Sequence, residues 1–335
     1  MVLATATLKA LRQHYPQSEI TWAVGSWSKP AIEGHPLLDK LLDTGPEALP
    51  VRKPASFLRF VQMLRAGRYD MAVSLVRSPL MSLAVLLSGI PVRIGLDSDG
   101  RGFGYNLRAK VDPRQPRHEA DIYLDTVRLL GADTEGCYVN VAVSDEAQKS
   151  LEQKLSHRQI QAPYVVINPN GGNNPGMQMD IKRWPASSFA ALIKRIREVQ
   201  PIDIILIGGP KDGEIIDAVQ SGLQQTVPAL VGELSFAEIA VLAHQAQVYI
   251  GCDTGLTHLA AAAEANTLMI LGPSDPARYA PYAPDAIAVW KPSGIRAEGV
   301  AQGAPKDWTW QQHGVDVETV FNAVKPFLTG WMLTL

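Results

Sequence analysis

The stretch that decides the fold is Val248-Tyr-Ile-Gly-Cys-Asp-Thr-Gly-Leu-Thr-His258, in the C-terminal half of the sequence. Its first residues form an apolar run, typical of a buried parallel strand, that ends at Gly251. A short turn follows, and the pattern predicts a helix that begins near Thr254. The first N–H groups of a helix and the helix dipole both favour negative charge. The sequence therefore predicts an anion-binding turn between this strand and this helix.

Four residues of this turn, Asp253, Thr254, Gly255 and His258, are candidate binding residues. Gly255 has no Cβ, so that a phosphate could approach the backbone closely. Asp253 lies at the carboxyl end of the strand and could accept hydrogen bonds from sugar hydroxyls. His258 lies over the first helical turn and could donate to phosphate or ribose oxygens. The alternative is structural: Asp253 and Thr254 cap the helix, and His258 is a satisfied core residue.

A second loop of the C-terminal half carries a lysine after a glycine-rich segment. Asn170 and Gly171 follow a predicted strand, and residues of these types allow tight turns with exposed amides that can hold phosphate. Further on, Lys182 is a mobile point charge suited to a diphosphate leaving group, or simply a surface lysine before a helix. Trp184 and Pro185 are typical of packing at a helix entry.

Two further loops follow predicted strands of the same half. Asp212 and Glu214 either bind ribose hydroxyls or favour the N-terminus of the next helix. Gly272-Pro-Ser-Asp-Pro276 ends the predicted strand at 267–271. Because parallel-sheet proteins bind ligands at the carboxyl ends of their strands, four loops converging on one edge favour a ligand site there.

Short β-rich runs alternate with helical patterns along the chain, which predicts an α/β protein with parallel sheets built from βαβ units. Strands are predicted at 19–24, 37–43, 71–76, 92–95, 164–168, 202–207, 247–251, 267–271 and 287–290. Helices are predicted at 2–14, 57–66, 80–87, 119–130, 186–199, 213–222, 236–244, 256–264 and 315–327. Residues 145–159 are interpreted as a polar helix or linker, and residues 291–312 as irregular.

The length of 335 residues predicts two domains. We expect an N-terminal Rossmann-like domain over 1–150 and a second one over 151–315. A final helix over 316–335 is expected to pack back across the junction. No Gly-x-Gly-x-x-Gly follows any predicted strand, which argues against a nicotinamide dehydrogenase.

Composition limits the protein class and the compartment. With 46% hydrophobic and 19% charged residues, the chain resembles an ordinary soluble globular protein. Its longest nearly apolar stretch, 81–92, is too short to span a bilayer, and no signal peptide is expected at the start. Cys137 and Cys252 lie far apart and no Cys/His cluster has zinc spacing, so we expect a cytoplasmic protein without a structural metal.

Charge is unevenly distributed along the chain. Residues 51–117 contain 12 Lys/Arg and 4 Asp/Glu, a local charge of +8 in a chain whose net charge is −2. The simple interpretation is a solvated basic surface. The sharper one is a face for an anionic partner, including peripheral contact with the inner face of the cytoplasmic membrane. Nucleic acid is not expected, because the stretch lacks an aromatic stacking pattern.

Three motifs, taken in order, resemble one known family. Lys-x-Trp-Pro at 182–185, Asp-Thr-Gly-x-x-His at 253–258 and Gly-Pro-Ser-Asp-Pro at 272–276 look like glycosyltransferase family nine. This is the family of the heptosyltransferases of lipopolysaccharide core assembly and their relatives, and the whole chain fits it. Arg77-Ser78, the 89–95 stretch and His118-Glu119 also resemble the family, less specifically.

The resemblance implies a GT-B architecture, in which two Rossmann-like domains with parallel sheets face a central cleft. It also implies an ADP-sugar donor, inversion at the anomeric carbon, no cofactor and no required metal. By this resemblance Lys182 stabilises the departing diphosphate, and a donor site comprises Asn170, Gly171, Lys182, Asp212, Glu214, Asp253, Thr254, Gly255 and His258. The acceptor, a lipopolysaccharide-core or similar anionic glycan, would contact Arg77, Arg101 and His118.

The sequence departs from the family at its start. The family begins with a strand and a Gly-Asp turn before the helix that here covers 2–14, and that aspartate is regarded as the general base. Both are absent, so we expect a first domain without its first strand, from a reading frame that begins about one strand late. Asp97 or Asp99 could substitute, but their spacing does not support this.

Two function classes stay open, together with a less favoured third. The first is an inverting glycosyltransferase that moves a heptose or related sugar. The second, motivated by the missing aspartate, is a nucleotide-sugar binding protein without catalysis. Another GT-B enzyme, such as a nucleotide-sugar epimerase, is disfavoured by the motif combination.

Overall fold

A computed structural model of the chain describes residues 1–47, 49–174, 177–293 and 307–329. The chain divides into two compact units: the first covers Leu3–Val139, and the second begins at Asn140. The sequence placed the domain boundary at residue 150, inside a helix that the structure assigns to the second unit. The assignment of acceptor and donor roles to the two domains stays a prediction.

The first unit contains four α-helices and five strands within the described residues. The helices are α1 (Thr5–His14), α2 (Pro54–Gly67), α3 (Pro79–Ser88) and α4 (Glu119–Arg128). The strands are β1 (Thr21–Val24), β2 (Lys40–Asp43), β3 (Met71–Ser74), β4 (Val92–Asp97) and β5 (Leu107–Lys110). All of the predicted elements of this half are present, and β5 is an additional strand that the sequence reading missed. It is short and mostly polar, so its pattern does not resemble a buried strand.

The strands of the first unit form two parallel sheets. β1 pairs with β2, and β4 lies between β3 and β5. Helices α2 and α3 pack on each other around a core that includes Phe60, Leu64, Met81, Val85 and Tyr105. The β3–β4 pair is the expected product of the alternating pattern, because α3 forms its crossover connection, whereas no α-helix lies in the fully described segments between β1 and β2 or between β4 and β5.

The second unit contains eight helices and eight strands within the described residues. The helices are α5 (Asp145–His157), α6 (Ala186–Val199), α7 (Gly213–Ser221), α8 (Phe236–Gln245), α9 (Gly255–Ala262), α10 (Pro276–Tyr279), α11 (Trp310–His313) and α12 (Val317–Thr329). The strands are β6 (Tyr164–Asn168), β7 (Asn173–Asn174), β8 (Met177–Gln178), β9 (Asp203–Gly208), β10 (Ala229–Val231), β11 (Val248–Cys252), β12 (Thr267–Ile270) and β13 (Ala286–Val289).

One six-stranded parallel sheet organises this unit, in the order β10-β9-β6-β11-β12-β13. β6, β11 and β12 are buried along their whole length, because apolar residues occupy both faces of a sheet that is covered on both sides. The core includes Trp184, Phe189, Ile250 and Phe321. The predicted α/β fold with parallel sheets is confirmed.

Several details of the second unit differ from the prediction. Of the two alternatives for residues 145–159, the helix is confirmed, as α5 over Asp145–His157. Strand β10 and the β7–β8 hairpin were missed because both are very short. The predicted irregular segment 291–312 is wrong at its end, where α11 begins at Trp310, while 294–306 lie outside the described residues. The last helix, α12, packs on α6 and on the sheet of the second unit, and its predicted packing across the junction stays a prediction.

Helix α5 is joined to α8 by a buried carboxylate. Glu238 completes a capping box with Ser235, accepts a hydrogen bond from Ser150 at 2.8 Å, and pairs with Lys154 at 2.5 Å. Burial raises the pKa of Glu238, but the bonds from Lys154, Ser235 and Ser150 outweigh it and lower the pKa to about 2. The Glu238 carboxylate therefore fixes α5, the first helix of the second unit, on α8.

We expect this contact to make the stability of the protein sensitive to acid. A carboxyl whose pKa falls from 4.5 to about 2 on folding stabilises the folded state at neutral pH by about 3 kcal/mol. That contribution is complete above pH 4.5 and is lost as pH falls towards 2. Urea unfolding at pH 7 and pH 3 should therefore show a smaller acid-induced loss of stability in Glu238→Gln than in wild type. Glu152→Gln, on the exposed face of α5, is the control, and equal acid sensitivity of all three proteins would contradict the assignment.

Candidate functional site

The carboxyl ends of three neighbouring strands bring the sequence-predicted loops together. β11 lies between β6 and β12 in the sheet, and all three strands run parallel. The loops that follow them therefore leave the same edge side by side, as in other open parallel sheets. The loop after β9 leaves this edge one strand further away, because β6 separates β9 from β11.

The turn after β11 has the predicted strand–turn–helix form. Thr254 is the N-cap of α9, and its hydroxyl accepts from the Thr257 N–H at 3.3 Å. Thr257 in turn donates to the Cys252 carbonyl at 2.7 Å, which fixes the helix start on the strand end. Gly255 is exposed, and a Cβ added to it would meet no atom within 4 Å. The first amides of α9, which have no acceptor within the helix, thus adjoin open space.

Asp253 is the centre of a buried polar cluster beside this turn. Its Oδ2 accepts from the Lys182 ammonium at 2.6 Å and from the Ser274 hydroxyl at 2.6 Å, and its Oδ1 lies 4.0 Å from Nε2 of His258. All four side chains are buried. The structure therefore places Lys182 and His258 on the same side of the second unit, around one carboxylate. We call these four residues the Asp253 cluster.

The backbone before α6 holds Lys182 in this position. Gly172 has φ +76°, and a Cβ there would lie 2.1 Å from the Met179 carbonyl, so that only glycine fits. Trp184 donates its N–H to the sulfur of Cys252 at 3.3 Å, and Arg183 donates to the Gly171 carbonyl at 2.8 Å. Lys182 is thus presented by a segment that is fixed to β11 and to the loop after β6.

The loop after β6 reaches the start of α9. A Cβ at Gly171 would lie 3.3 Å from the Cβ of Cys252 and 3.4 Å from Cγ2 of Thr254, so this glycine packs directly against the turn. Asn170 precedes it and accepts from the Gly171 N–H at 2.7 Å. Both residues therefore lie near the Asp253 cluster, as the convergence of the loops predicted.

Asp212 and Glu214 occupy a different position. The Asp212 carboxylate accepts from the Gly209 N–H at 2.7 Å and so closes its own loop before α7. Glu214 is exposed in the first turn of that helix. Strand β6 separates this loop from the one that carries Asp253. Asp212 thus has a structural contact within its loop, and a ribose contact of Asp212 or Glu214 stays a prediction.

The predicted acceptor residues lie in the first unit. Arg77 follows β3 and forms an ion pair with Glu119, next to His118, which caps α4 by accepting from the Ala120 N–H at 3.1 Å. Arg101 follows β4, the parallel neighbour of β3. These residues therefore share the carboxyl edge of one sheet, and their contact with an acceptor stays a prediction.

Asp97 is poorly suited to act as the general base. Its carboxylate bonds the Lys110 ammonium at 2.6 Å and the Gly102 N–H at 2.9 Å, and its side chain is almost fully buried. The hydrogen bond from Lys110 holds the pKa of Asp97 below its usual value. A carboxylate with a lowered pKa is a weaker base, so the structure agrees with the sequence in giving Asp97 no such role.

Covalent catalysis by Cys252 is also disfavoured. Burial raises the pKa of this thiol to about 12, although the N–H of Trp184 partly offsets the effect. The thiol is therefore neutral near pH 7 and is not a nucleophile. In the part of the chain that the structure describes, no group of three or more His, Cys, Asp or Glu residues is placed to hold a metal ion.

Ser274 and Tyr279 are site residues that the sequence reading did not assign. Ser274 holds Asp253, and the Tyr279 ring centroid lies 5.6 Å from the Lys182 ammonium, within cation–π distance. The sequence analysis places the loop of Ser274 at this sheet edge but assigns Ser274 no contact. The order of the strands would have indicated the contact, because a residue just beyond β12 lies beside one just beyond β11.

We expect Ser274→Ala to lower the free energy of unfolding by about 1.5–3 kcal/mol, because it removes a buried hydrogen bond to a charged group. Ser274→Thr, which keeps a hydroxyl, should recover most of that loss in urea unfolding. Ser221→Ala is a matched control, since the Ser221 hydroxyl bonds only an exposed carbonyl within α7. If Ser274→Ala unfolds like this control, the hydrogen bond to Asp253 does not stabilise the site.

Comparison with known proteins identifies the family. The model of glycosyltransferase family 9 (heptosyltransferase) matches residues 57–306. Lipopolysaccharide heptosyltransferase 3 of Escherichia coli is 25% identical over 296 residues, which are 87% of this chain and 85% of that protein.

Two solved structures share the fold. A family 9 glycosyl transferase from Veillonella parvula is 20% identical, with a TM-score of 0.79 over 98% of this chain and 93% of its own. The ADP-heptose LPS heptosyltransferase II of E. coli is also 20% identical, with a TM-score of 0.76 over 99% of this chain and 96% of its own. These likenesses confirm the predicted GT-B-type fold. Because the family match spans well over half of the 335 residues, the chain belongs to glycosyltransferase family 9 and is a glycosyltransferase.

Proposed function

We propose that this protein transfers a heptose or related sugar from an ADP-sugar donor to a lipopolysaccharide-core or similar glycan acceptor, with inversion at the anomeric carbon. The observation that carries the proposal is the Asp253 cluster beside the open start of α9, in a chain of family 9. The E. coli relative of like fold is itself an ADP-heptose LPS heptosyltransferase.

The donor diphosphate is proposed to bind at the first amides of α9. Gly255 leaves space for it, and the helix dipole adds a favourable field. Lys182 reaches this region from the loop before α6 and His258 from the helix itself, so that two nitrogen donors adjoin the same turn. Asn170 and Gly171 would line the neighbouring side, and Glu214 would contact the nucleoside.

Lys182 is proposed to stabilise the leaving group. The acceptor oxygen forms the new bond to the anomeric carbon while the bond from that carbon to the diphosphate oxygen breaks, and ADP departs with the electron pair. Negative charge increases on the diphosphate as this happens, and a nearby ammonium stabilises it. The ammonium pairs with Asp253, which keeps a buried charge compensated. The acceptor's proton passes to a base that the sequence motifs do not identify.

The acceptor is proposed to be an anionic glycolipid or glycan that binds the first unit. Arg77, Arg101 and His118 are the proposed contacts, since they share one sheet edge. Arginine suits phosphate and carboxylate groups because its planar guanidinium binds them in a bidentate manner. We place the protein in the cytoplasm, in peripheral contact with the inner face of the cytoplasmic membrane. No described helix is long and apolar enough to cross a membrane.

Two measurements on the purified chain test this proposal. Calorimetry with ADP should show binding, and incubation with ADP-heptose and a lipopolysaccharide-core acceptor should give a product heavier by one heptose in mass spectrometry. ADP release without an acceptor should stay at background. No turnover with any ADP- or UDP-sugar, together with no ADP binding, would discard the proposal.

The alternative function is nucleotide-sugar binding without catalysis. The Asp253 cluster and the open start of α9 are features of donor binding and do not by themselves require transfer. ADP binding without any transfer would support this alternative, whereas detectable transfer would exclude it. Product analysis without acceptor separates both from an epimerase, which would convert the donor sugar itself.

A further inference from the structure

Helix α3 of the first unit exposes leucines on the face opposite its core. Met81, Ala84 and Val85 are buried against α2 and the sheet. On the outer face Leu80 and Leu87 are exposed, and Leu83, which lies between them at helical spacing, is half-buried. No charged residue occurs in α3, so the helix is apolar all round although one side is open to solvent.

Phe103, in the loop after β4, is an exposed aromatic side chain next to this face. Gly104 packs on α3 so closely that a Cβ would lie 2.1 Å from the Ser82 carbonyl and 3.2 Å from the Cβ of Leu86. Its neighbour Phe103 is 47% exposed, and Leu86 is 40% exposed. We define the α3 patch as Leu80, Leu83, Leu86, Leu87 and Phe103. Single exposed leucines are ordinary on protein surfaces, but a contiguous group with an exposed phenylalanine is typical of an interaction site.

Arginines surround the α3 patch and keep their charge. Arg65 donates to the Leu87 carbonyl at 3.0 Å, and Arg108 donates to the Phe103 carbonyl at 3.1 Å. Arg93 donates to the Ile90 carbonyl at 2.7 Å. These partners are neutral, so the bonds fix the guanidinium groups at the edge of the patch without cancelling their charge.

Four other basic residues of 51–117 are paired with carboxylates. Lys53, Arg77, Lys110 and Arg117 form ion pairs with carboxylates. Between Asp70 and Asp97 the sequence contains no acidic residue. Arg65, Arg93 and Arg108 therefore contribute positive charge at the edge of the α3 patch, within a stretch of local charge +8.

We propose that the α3 patch docks the protein on an anionic phospholipid bilayer, with the leucines and Phe103 entering the headgroup region and the arginines binding lipid phosphates. Exposed apolar side chains bordered by arginines fit such an interface, since both contributions are needed for peripheral binding. A ten-residue helix is about 15 Å long, so it lies on the membrane rather than crossing it. The inference deepens the membrane contact proposed above and identifies the surface that makes it.

Sedimentation with vesicles tests the proposal on the full chain, without nucleotide or acceptor. The protein should bind vesicles that contain about 30% phosphatidylglycerol at least tenfold more tightly than vesicles of phosphatidylcholine alone, and added salt should weaken the binding. Leu80→Gln/Leu87→Gln and Arg65→Gln/Arg108→Gln should each weaken binding about tenfold. Leu129→Gln and Arg114→Gln, also in the first unit but outside the patch, should bind as wild type.

Three results would overturn the proposal. One is equal binding to both kinds of vesicle, and another is unchanged binding of the patch variants. The third is a concentration-dependent dimer that Leu80→Gln/Leu87→Gln dissolves, which would make a second copy the occupant. Circular dichroism and thermal melting confirm that each variant is folded. Calorimetry with ADP on the same variants shows separately whether donor binding persists, so that failure of docking and failure of the proposed transferase function are distinguishable.

Discussion

Replacing Lys182 with methionine should lower the rate of glycosyl transfer at saturating donor by about 10²–10³-fold, the usual effect of removing one group that stabilises charge in a transition state. Methionine has a similar length but no charge, so that the departing diphosphate loses its ammonium partner. ADP affinity should fall less than the transfer rate, because charge on the diphosphate increases as the bond to the sugar breaks. Single-turnover transfer and ADP calorimetry measure the two effects separately.

The folded state of this variant needs its own control, because methionine leaves the buried Asp253 carboxylate without its ammonium. Lys182→Met/Asp253→Asn removes both charges and should be more stable than the single variant in urea unfolding, yet equally slow in transfer. Lys194→Met, an exposed lysine of α6, should behave as wild type. Transfer by Lys182→Met within threefold of wild type would remove Lys182 from the mechanism.

Replacing Trp184 with alanine should lower the free energy of unfolding by about 3–5 kcal/mol, as is typical when a large aromatic side chain is removed from a core. Trp184 is 1% exposed and packs edge-to-face on Phe189, with ring centroids 5.0 Å apart. Its indole N–H donates to the Val315 carbonyl at 3.1 Å, which connects the segment before α12 to the entry of α6. Urea unfolding monitored by circular dichroism measures the loss.

Two variants make this prediction specific. Trp184→Phe keeps most of the buried area but loses the indole donor, so we expect it to be destabilised by about 1–3 kcal/mol, less than Trp184→Ala. Trp27→Ala removes an exposed indole from the first unit and should change stability by about 0.5 kcal/mol or less. An effect of Trp184→Ala as small as that of Trp27→Ala would show that the core does not depend on this residue.

The sequence predicted the frame of the second unit well because its strands are buried on both faces. Mostly apolar runs such as 164–168 and 267–271, which lie between helical patterns, are typical of buried strands. The pattern also predicted both ends of α6 correctly. Short edge elements were missed, since β5 and β10 contain three or four residues and carry little periodicity.

The candidate site was predictable in outline but not in its contacts. The order of the motifs predicted that Lys182 and His258 lie at one sheet edge. The pairing of Lys182 with Asp253, however, depends on side-chain directions that sequence spacing does not specify. Likewise, the position of Asp212 after a parallel strand did not reveal that its carboxylate accepts a hydrogen bond within its own loop. Ser274 became visible only when β12 was placed beside β11.

The burial of the two thiols has a practical consequence. Cys137 lies in the first unit and Cys252 at the end of β11 in the second, and both are shielded from solvent. A thiol reagent can reach either sulfur only when the surrounding backbone opens, so its labelling rate reports the opening free energy of that region. Mass spectrometry of labelled peptides would thus follow each unit separately in the native sequence. A slower labelling rate of Cys252 in the presence of ADP would measure how much a bound nucleotide stabilises the β11–α9 turn.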